Sequence, residues 1–341
     1  MPVRLSDIAS EAGVSLMTVS NVMNGKRSRV SEATAHRVLE IADRLGYVPN
    51  LPARSLAASK SHIIAALTPV GEDHSLLMSP HTVEVIGGLE KHLRHEGYHV
   101  LLRGIEKEAD ITGAIKGWAL DGAILLEFAD SQIDRIQVSG VPLVAIDSYS
   151  ENPRTISVRT DDRRGGWLAG TCLTEAGHSQ LLFAGPPFEG MGVMGQRWEG
   201  FLSACIASGI DPSQIAVVET LISYEDGQAL GRRLRKDHPD VTAVFATADS
   251  LAIGILAGLN EAGVRVPEDI SVIGFDNIEM SALVTPGLTT VAQDIQAKGA
   301  EAARLVLQEV EKGQGTPPPI SLEVSLVTRA SVASPRTSQR T

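Results

Sequence analysis

A chain of 341 residues, 43% of them apolar, with ordinary glycine and proline content, is long enough for two or three packed cores and has a globular composition. No run of 18 or more apolar residues occurs, so no membrane contact is expected. The charged start MPVRLSDIAS lacks the apolar stretch of a secretory signal. Cys172 and Cys205 are too few for a disulfide framework and have no metal-ligand spacing. The expectation is a cytoplasmic protein with reduced thiols, no metal and no cofactor. The net charge of −11 argues against a nucleic-acid partner until it is split by position. Residues 1–60 hold eight Lys and Arg against five Asp and Glu, a net of +3, and the remaining chain carries −14. A small basic head on an acidic body suggests an anion-binding module joined to something else, although +3 is also within chance clustering.

In chain order, the first predicted element is a short helix from Leu5. Ser6 and Asp7 suit its first turn, Ile8, Ala9 and Ala12 form its apolar stripe, and Gly13 is its left-handed stop. Ser15 is a good N-cap for a second helix over 16–23, ended by Asn24-Gly25. A helix, a three-residue turn containing glycine, and a second helix is the helix-turn-helix spacing, in which the second helix enters the major groove. A third helix is predicted from Ser31 to about Leu45, with Ala35, Val38, Leu39, Ala42 and Leu45 at helical spacing. Any three-helix bundle has this periodicity, so spacing alone leaves open a packing domain without DNA. The domain reading is 1–50 for this head, 51–60 for a hinge or linker, 61–334 for a larger domain and 335–341 for a disordered tail.

The larger domain alternates β-branched runs with helical stretches. Strands are predicted at 63–68, 99–103, 122–126, 143–146, 181–184, 215–218, 243–246, 270–275 and 288–291. Helices are predicted between them, at 82–96, 163–175, 196–208, 227–236, 250–262 and 295–312 among others. This alternation implies parallel sheets covered on both faces. The length is too great for one open sheet, so two similar doubly wound subdomains are expected.

In such sheets ligands bind at the carboxyl ends of strands. Asp147, Asp249 and Asp276 follow predicted strands there, and Arg197 opens a predicted helix. Carboxylates and an arginine facing one cleft suit a polyhydroxyl ligand, because Asp accepts from vicinal hydroxyls and Arg donates two bonds in a fixed plane. Asp147 and Asp249 read equally well as helix N-caps. Arg197 alone reads as a surface ion pair.

Several stretches carry a resemblance. In the head they are LSDIA at 5–9, AGVS at 12–15, TVSNVMNG at 18–25, VS at 30–31 and LGYVPN at 45–50. In the body they include EAGH at 175–178, RWEGF at 197–201, PEDISVIGFD at 267–276 and LTTVAQ at 288–293. Together they resemble the lactose-repressor/galactose-repressor family of bacterial transcription regulators. The resemblance implies an all-α helix-turn-helix head on a periplasmic-binding-protein-like effector and dimerisation domain, with chain crossings near 160, 291 and 323. It also implies a homodimer on a palindromic double-stranded DNA operator, and control by a small-molecule effector, sugar or sugar-like, bound between the subdomains.

By that resemblance Leu16, Met17 and Asn21 read bases. Leu and Met pack on thymine methyls, and Asn pairs with adenine where relatives often place Arg. Ser6, Ser15, Thr18, Ser20, Asn24, Arg29, Asn50 and Arg54 are assigned DNA contacts, mostly to phosphate. Leu56 matches the hinge residue that wedges into the minor groove. The effector positions fall on Ser79, His81, Asp147, Arg197, Tyr224, Asp249, Asp276 and Gln293. His81-Thr82 stand where relatives commonly carry aromatics, and Ala248 stands where they often carry Asn, which makes a common hexose a less certain effector.

Two competing readings follow from other features. GMGVMG at 190–195 fits the glycine pattern of dinucleotide-binding oxidoreductases, with Glu219 at the end of the next strand. The intervening GPPFE at 185–189 makes too long a detour for pyrophosphate to reach the helix. A transport solute-binding protein is opposed by the basic head and the absent signal. No hydrolase motif occurs, so the chain is not expected to be an enzyme.

Overall fold

The computed structural model describes residues 3–23, 25, 30–47, 60–71, 76, 78–137, 140–188, 190, 192–313 and 317–336. The chain divides into two compact units, Met1–Ser61 and His62–Thr341.

The first unit holds α1 (Leu5–Ala12), α2 (Leu16–Met23) and α3 (Glu32–Arg44). Ile8, Ala9 and Ala12 of α1 pack with Val19 and Val22 of α2 and with Ala35, Val38, Ile41 and Ala42 of α3. Gly13, at φ +64°, ends α1 and returns its N–H to the Ala9 carbonyl. Ser15 Oγ accepts from the Thr18 N–H at 3.1 Å to start α2, and Ser31 Oγ does the same for α3 through Thr34. Ser31 is therefore the cap of the third helix and not its first residue.

The second unit contains two six-stranded sheets. Its first half runs β1 (Ile63–Pro69), α4 (Pro80–His95), β2 (His99–Ile105), α5 (Glu108–Gly117), β3 (Gly122–Leu125), α6 (Asp130–Ile133), β4 (Leu143–Ile146) and β5 (Thr155–Thr160). There follow α7 (Asp162–Glu175), β6 (Leu181–Gly185), α8 (Val193–Ala207), β7 (Ile215–Glu219), α9 (Tyr224–Asp237), β8 (Ala243–Ala246), α10 (Asp249–Glu261), β9 (Ser271–Asp276), α11 (Met280–Leu283) and β10 (Thr289–Gln293). The chain closes with α12 (Ile295–Lys312), β11 (Ile320–Leu322) and β12 (Val324–Val327).

The first sheet has the order β11-β5-β4-β3-β1-β2 and the second β12-β10-β9-β8-β6-β7. All pairs are parallel except β10 with β12, so one edge of the second sheet departs from the all-parallel expectation. The chain passes between the sheets at three places: from β5 to α7, from β10 to α12, and from β11 to β12.

Alternation along each strand builds the two cores of each sheet. In β1, Ile64 and Ala66 face α4 and α12, and Ala65 and Leu67 face α5. In β8, Val244 and Ala246 face α9 and α10, and Ala243 and Phe245 face α7 and α8. A close crossing sets the relation of α7 to α8: a Cβ on Gly166 would stand 2.0 Å from the Arg197 carbonyl oxygen. Only glycine permits that approach, and it brings Asp162, one turn before Gly166, to the Arg197 side chain. Cys172 and Cys205 are both free, and burial pushes their thiols up to about 11 and about 12. Among the described residues, no helix is long and apolar enough to cross a membrane.

Candidate functional site

The carboxyl ends of the two sheets supply the side chains of one polar cluster. Three strand ends depart from ordinary backbone geometry: Glu127, Asp147 and the Asp276–Asn277 pair all have positive φ, at 60°, 52°, 116° and 61°. Non-glycine residues rarely adopt this region, and its cost is sustained only where surrounding contacts over-determine the conformation.

Asp147, directly after β4, meets Lys298 of α12. The Lys298 ammonium donates to Asp147 Oδ1 at 2.5 Å and to Gln293 Oε1, and it lies 3.5 Å from His81 Nε2. His81 Nε2 is in turn 3.6 Å from Asp147 Oδ2. Burial opposes ionisation of Asp147, but the Lys298 ammonium beside it outweighs burial and holds the carboxyl below its ordinary range. Burial, reinforced by Lys298, holds His81 down to about 3, so its ring is neutral at physiological pH.

Gln293, the last residue of β10, joins the cluster to two crossings. Its Oε1 accepts from Thr160 Oγ1, the last residue of β5, at 2.6 Å, and its Nε2 donates to Asp276 Oδ1 at 2.6 Å. Burial pushes the Asp276 carboxyl up to about 8 against the pull of Arg197. Arg197 Nε donates to Asp162 Oδ1 at 2.9 Å, one of its terminal nitrogens donates to the Thr247 carbonyl, and its guanidinium lies 3.5 Å over the Phe275 ring. Asp162, wholly buried, also accepts from the Tyr149 hydroxyl at 3.0 Å. Burial works to raise the Asp162 carboxyl, and the adjoining Arg197 charge works to keep it ionised.

The structure thus brings His81, Asp147, Arg197, Asp276 and Gln293 together. Arg197 is neither a surface residue nor a direct partner of Asp276: its hydrogen bonds go to Asp162 and the Thr247 carbonyl. Neither Asp147 nor Asp249 is a helix N-cap. Asp249 is the first residue of α10, fully buried, and accepts from the Ile278 N–H at 3.0 Å, Ser281 Oγ at 2.5 Å and Thr290 Oγ1 at 2.6 Å. It anchors the segment that follows Asp276. Ser79 caps α4 and donates to Glu127 Oε1 at 3.1 Å, beside the cluster. Tyr224 is exposed at the start of α9 and is not among the residues hydrogen-bonded in the cluster.

Asp162, Lys298, Tyr149 and Thr160 were not singled out in the sequence. Lys298 left a signal there, because it interrupts the apolar stripe of Ile295, Gly299, Ala302 and Val306. The others left none.

In the head, Val19 and Val22 are buried, whereas Leu16 and Met17 are 55% and 69% exposed. Two of the three residues assigned to base reading are thus free of the core, and the third, Asn21, is half-buried with Thr18 and Ser20. Ser6 is exposed on α1, and Ser15 hydrogen-bonds Thr18 Oγ1 at 2.9 Å. Asn24, Arg29, Asn50, Arg54 and Leu56 lie outside the described residues. The 190–195 glycine pattern serves packing: Gly195 sits inside α8, where a Cβ would stand 2.1 Å from the Gly190 carbonyl oxygen.

Residues 4–50 match the bacterial regulatory proteins of the lacI family, and residues 171–332 match the periplasmic binding protein-like domain. The chain is 30% identical over 338 residues to the HTH-type transcriptional repressor PurR of Pasteurella multocida, covering 97% of this chain and 98% of that one. It belongs to the LacI family of bacterial regulatory proteins. The fold agrees over nearly its whole length with a lac repressor dimer bound to operator and the anti-inducer ONPF, at a TM-score of 0.84, 28% identity, and 98% and 100% of the two chains. A CelR–cellobiose complex is similar at a TM-score of 0.69 and 28% identity, over 96% of this chain and 99% of that one. As a LacI-family member the protein is a DNA-binding transcription regulator under the control of a small-molecule effector.

Proposed function

We propose that this LacI-family regulator is a cytoplasmic, non-catalytic repressor that binds a palindromic operator as a homodimer. In this reading its effector, a sugar or sugar-like metabolite, is held by His81, Asp147, Arg197, Asp276 and Gln293. The observation that carries the reading is the position of Gln293. One amide joins the cleft acid Asp276, the buried Lys298 and the Thr160 hydroxyl, so a ligand that draws on Asp276 acts directly on two of the three crossings between the sheets. Asp249 positions the Asp276 segment from behind, and Ser79 positions Glu127. Exposed Leu16 and Met17 offer apolar contacts for thymine methyls, and half-buried Asn21 offers an amide for adenine. Val217, Leu221 and Tyr224, exposed along β7 and the start of α9, supply apolar surface suited to a second copy. The operator-bound lac repressor is a dimer of the same fold.

The test is an operator titration with and without a ligand found by thermal shift, for the parent and for Asp276→Ala. Ligand should change parent operator affinity by about 5–150-fold. Asp276→Ala should keep operator binding in the absence of ligand and lose the response. A normal response in the variant would place the effector site elsewhere.

A further inference from the structure

Polyol hydroxyls both donate and accept, so a cleft built for a neutral polyol offers free acceptors as well as donors. Here the acceptors are engaged. Lys298 occupies Asp147, Arg197 occupies Asp162, and Gln293 donates to Asp276, whose burial keeps its own proton at neutral pH. Two buried cations, Lys298 and Arg197, act on both Asp147 and Asp276, Lys298 from α12 and Arg197 from α8.

Lys298 is the group that a packing role explains least. It is 0% exposed in an otherwise apolar helix stripe, and burying an ion pair is seldom more favourable than an apolar side chain of the same volume. Its three partners, Asp147, Gln293 and His81, all belong to the cleft cluster, and none is part of the α12 core. His81 Nε2 stands 3.6 Å from Asp147 Oδ2, so a ring nitrogen already adjoins the carboxylate that a ligand anion at this ammonium would displace.

We infer that the effector of this protein carries an anionic group, a carboxylate or a phosphate on a polyol, received by Lys298 with Arg197 on the facing wall. The assignment rests on the cleft being the effector site. Carboxylate and phosphate share the chemistry that an ammonium and a guanidinium recognise, and the two are separated by experiment.

The full chain is screened by thermal shift and calorimetry against five- and six-carbon uronates, aldonates and sugar phosphates, each beside its neutral parent sugar. At least one anionic sugar should bind about tenfold or more tightly than its neutral parent, and the more effective arm identifies carboxylate or phosphate. Lys298→Met should remove that advantage. Because this change leaves Asp147 unpaired, the neutral pair Asp147→Asn/Lys298→Met is measured alongside and should lose it as well. Neutral sugars binding as tightly, no anionic sugar binding, or an advantage retained in both variants would each overturn the inference. The operator response of Asp276→Ala reports separately on the cleft, so binding of neutral sugars with that response intact in the parent would sink the anion and spare the site.

Discussion

The two sheets of the larger unit are wound in the same order, yet their interiors are built differently. The second is filled with rings: Phe183 lies 5.1–5.9 Å from the centroids of Phe188, Trp198, Phe201 and Phe245. Two of its buried acids, Asp162 and Asp249, are closed off by fixed hydrogen bonds. The first sheet is packed almost wholly with Ile, Leu, Val and Ala, and its cleft acid Asp147 is held by a lysine brought in by α12. Interlocked aromatics define one arrangement, because edge-to-face geometry adds to burial. An ion pair can be remade with a different charged partner. The contrast makes the second sheet the fixed wall of the cleft and the first sheet the wall whose charge a ligand can redistribute.

The largest expected effect tests the fixed wall. Phe183→Ala should destabilise the protein by about 3–5 kcal/mol, against about 0.5–1.5 kcal/mol for Ile124→Val in the first sheet. Urea denaturation of the two variants decides it, and a Phe183→Ala loss as small as that of Ile124→Val would dissolve the contrast.

A smaller effect tests the charge of the cleft. The folded state binds the Asp276 proton more tightly than the unfolded chain, with the carboxyl raised from 3.8 to about 8. This contribution is therefore fully present below about pH 4 and is lost as pH rises toward 8, with a slope of at most about 1.4 kcal/mol per pH unit. Asp276→Asn should flatten the profile of Tm against pH across that window. An unchanged profile would mean that Asp276 is ionised throughout.

The smallest stability effect belongs to the head. Leu16→Ala and Met17→Ala should shift folding stability by no more than about 0.5 kcal/mol, because both side chains are exposed. Gel-shift titration should nevertheless show weakened operator binding. A stability loss of core size would show that these residues pack rather than read.

Much of the fold was legible in the chain. The nine strands predicted from β-branched runs all occur, within two residues at each end. Strands β5, β11 and β12 did not stand out, for a physical reason. TISVRT alternates polar with apolar residues, and β11 and β12 are half-exposed edge strands without a continuous apolar run. The strand before the second crossing ends at Gln293, two residues past its predicted apolar stretch.

What the sequence determined by itself is local. Capping serines, left-handed glycine stops and the periods of apolar residues depend on neighbours a few positions away, and they specified the three-helix head and most of the strand–helix alternation. Motif resemblance extended that reading to the family. What only the tertiary structure decided is which side chains meet. Asp147 and Lys298 are joined by a 2.5 Å bond across 151 positions, and Thr160 and Gln293 by one of 2.6 Å across 133. Arg197 was expected to face the same cleft as Asp276, and its hydrogen bond there goes to Asp162 because Gly166 lets α7 and α8 close on one another. Hydrogen bonds and ion pairs act over about 3 Å, so their partners are set by how the sheets and helices pack, which no spacing along the chain expresses.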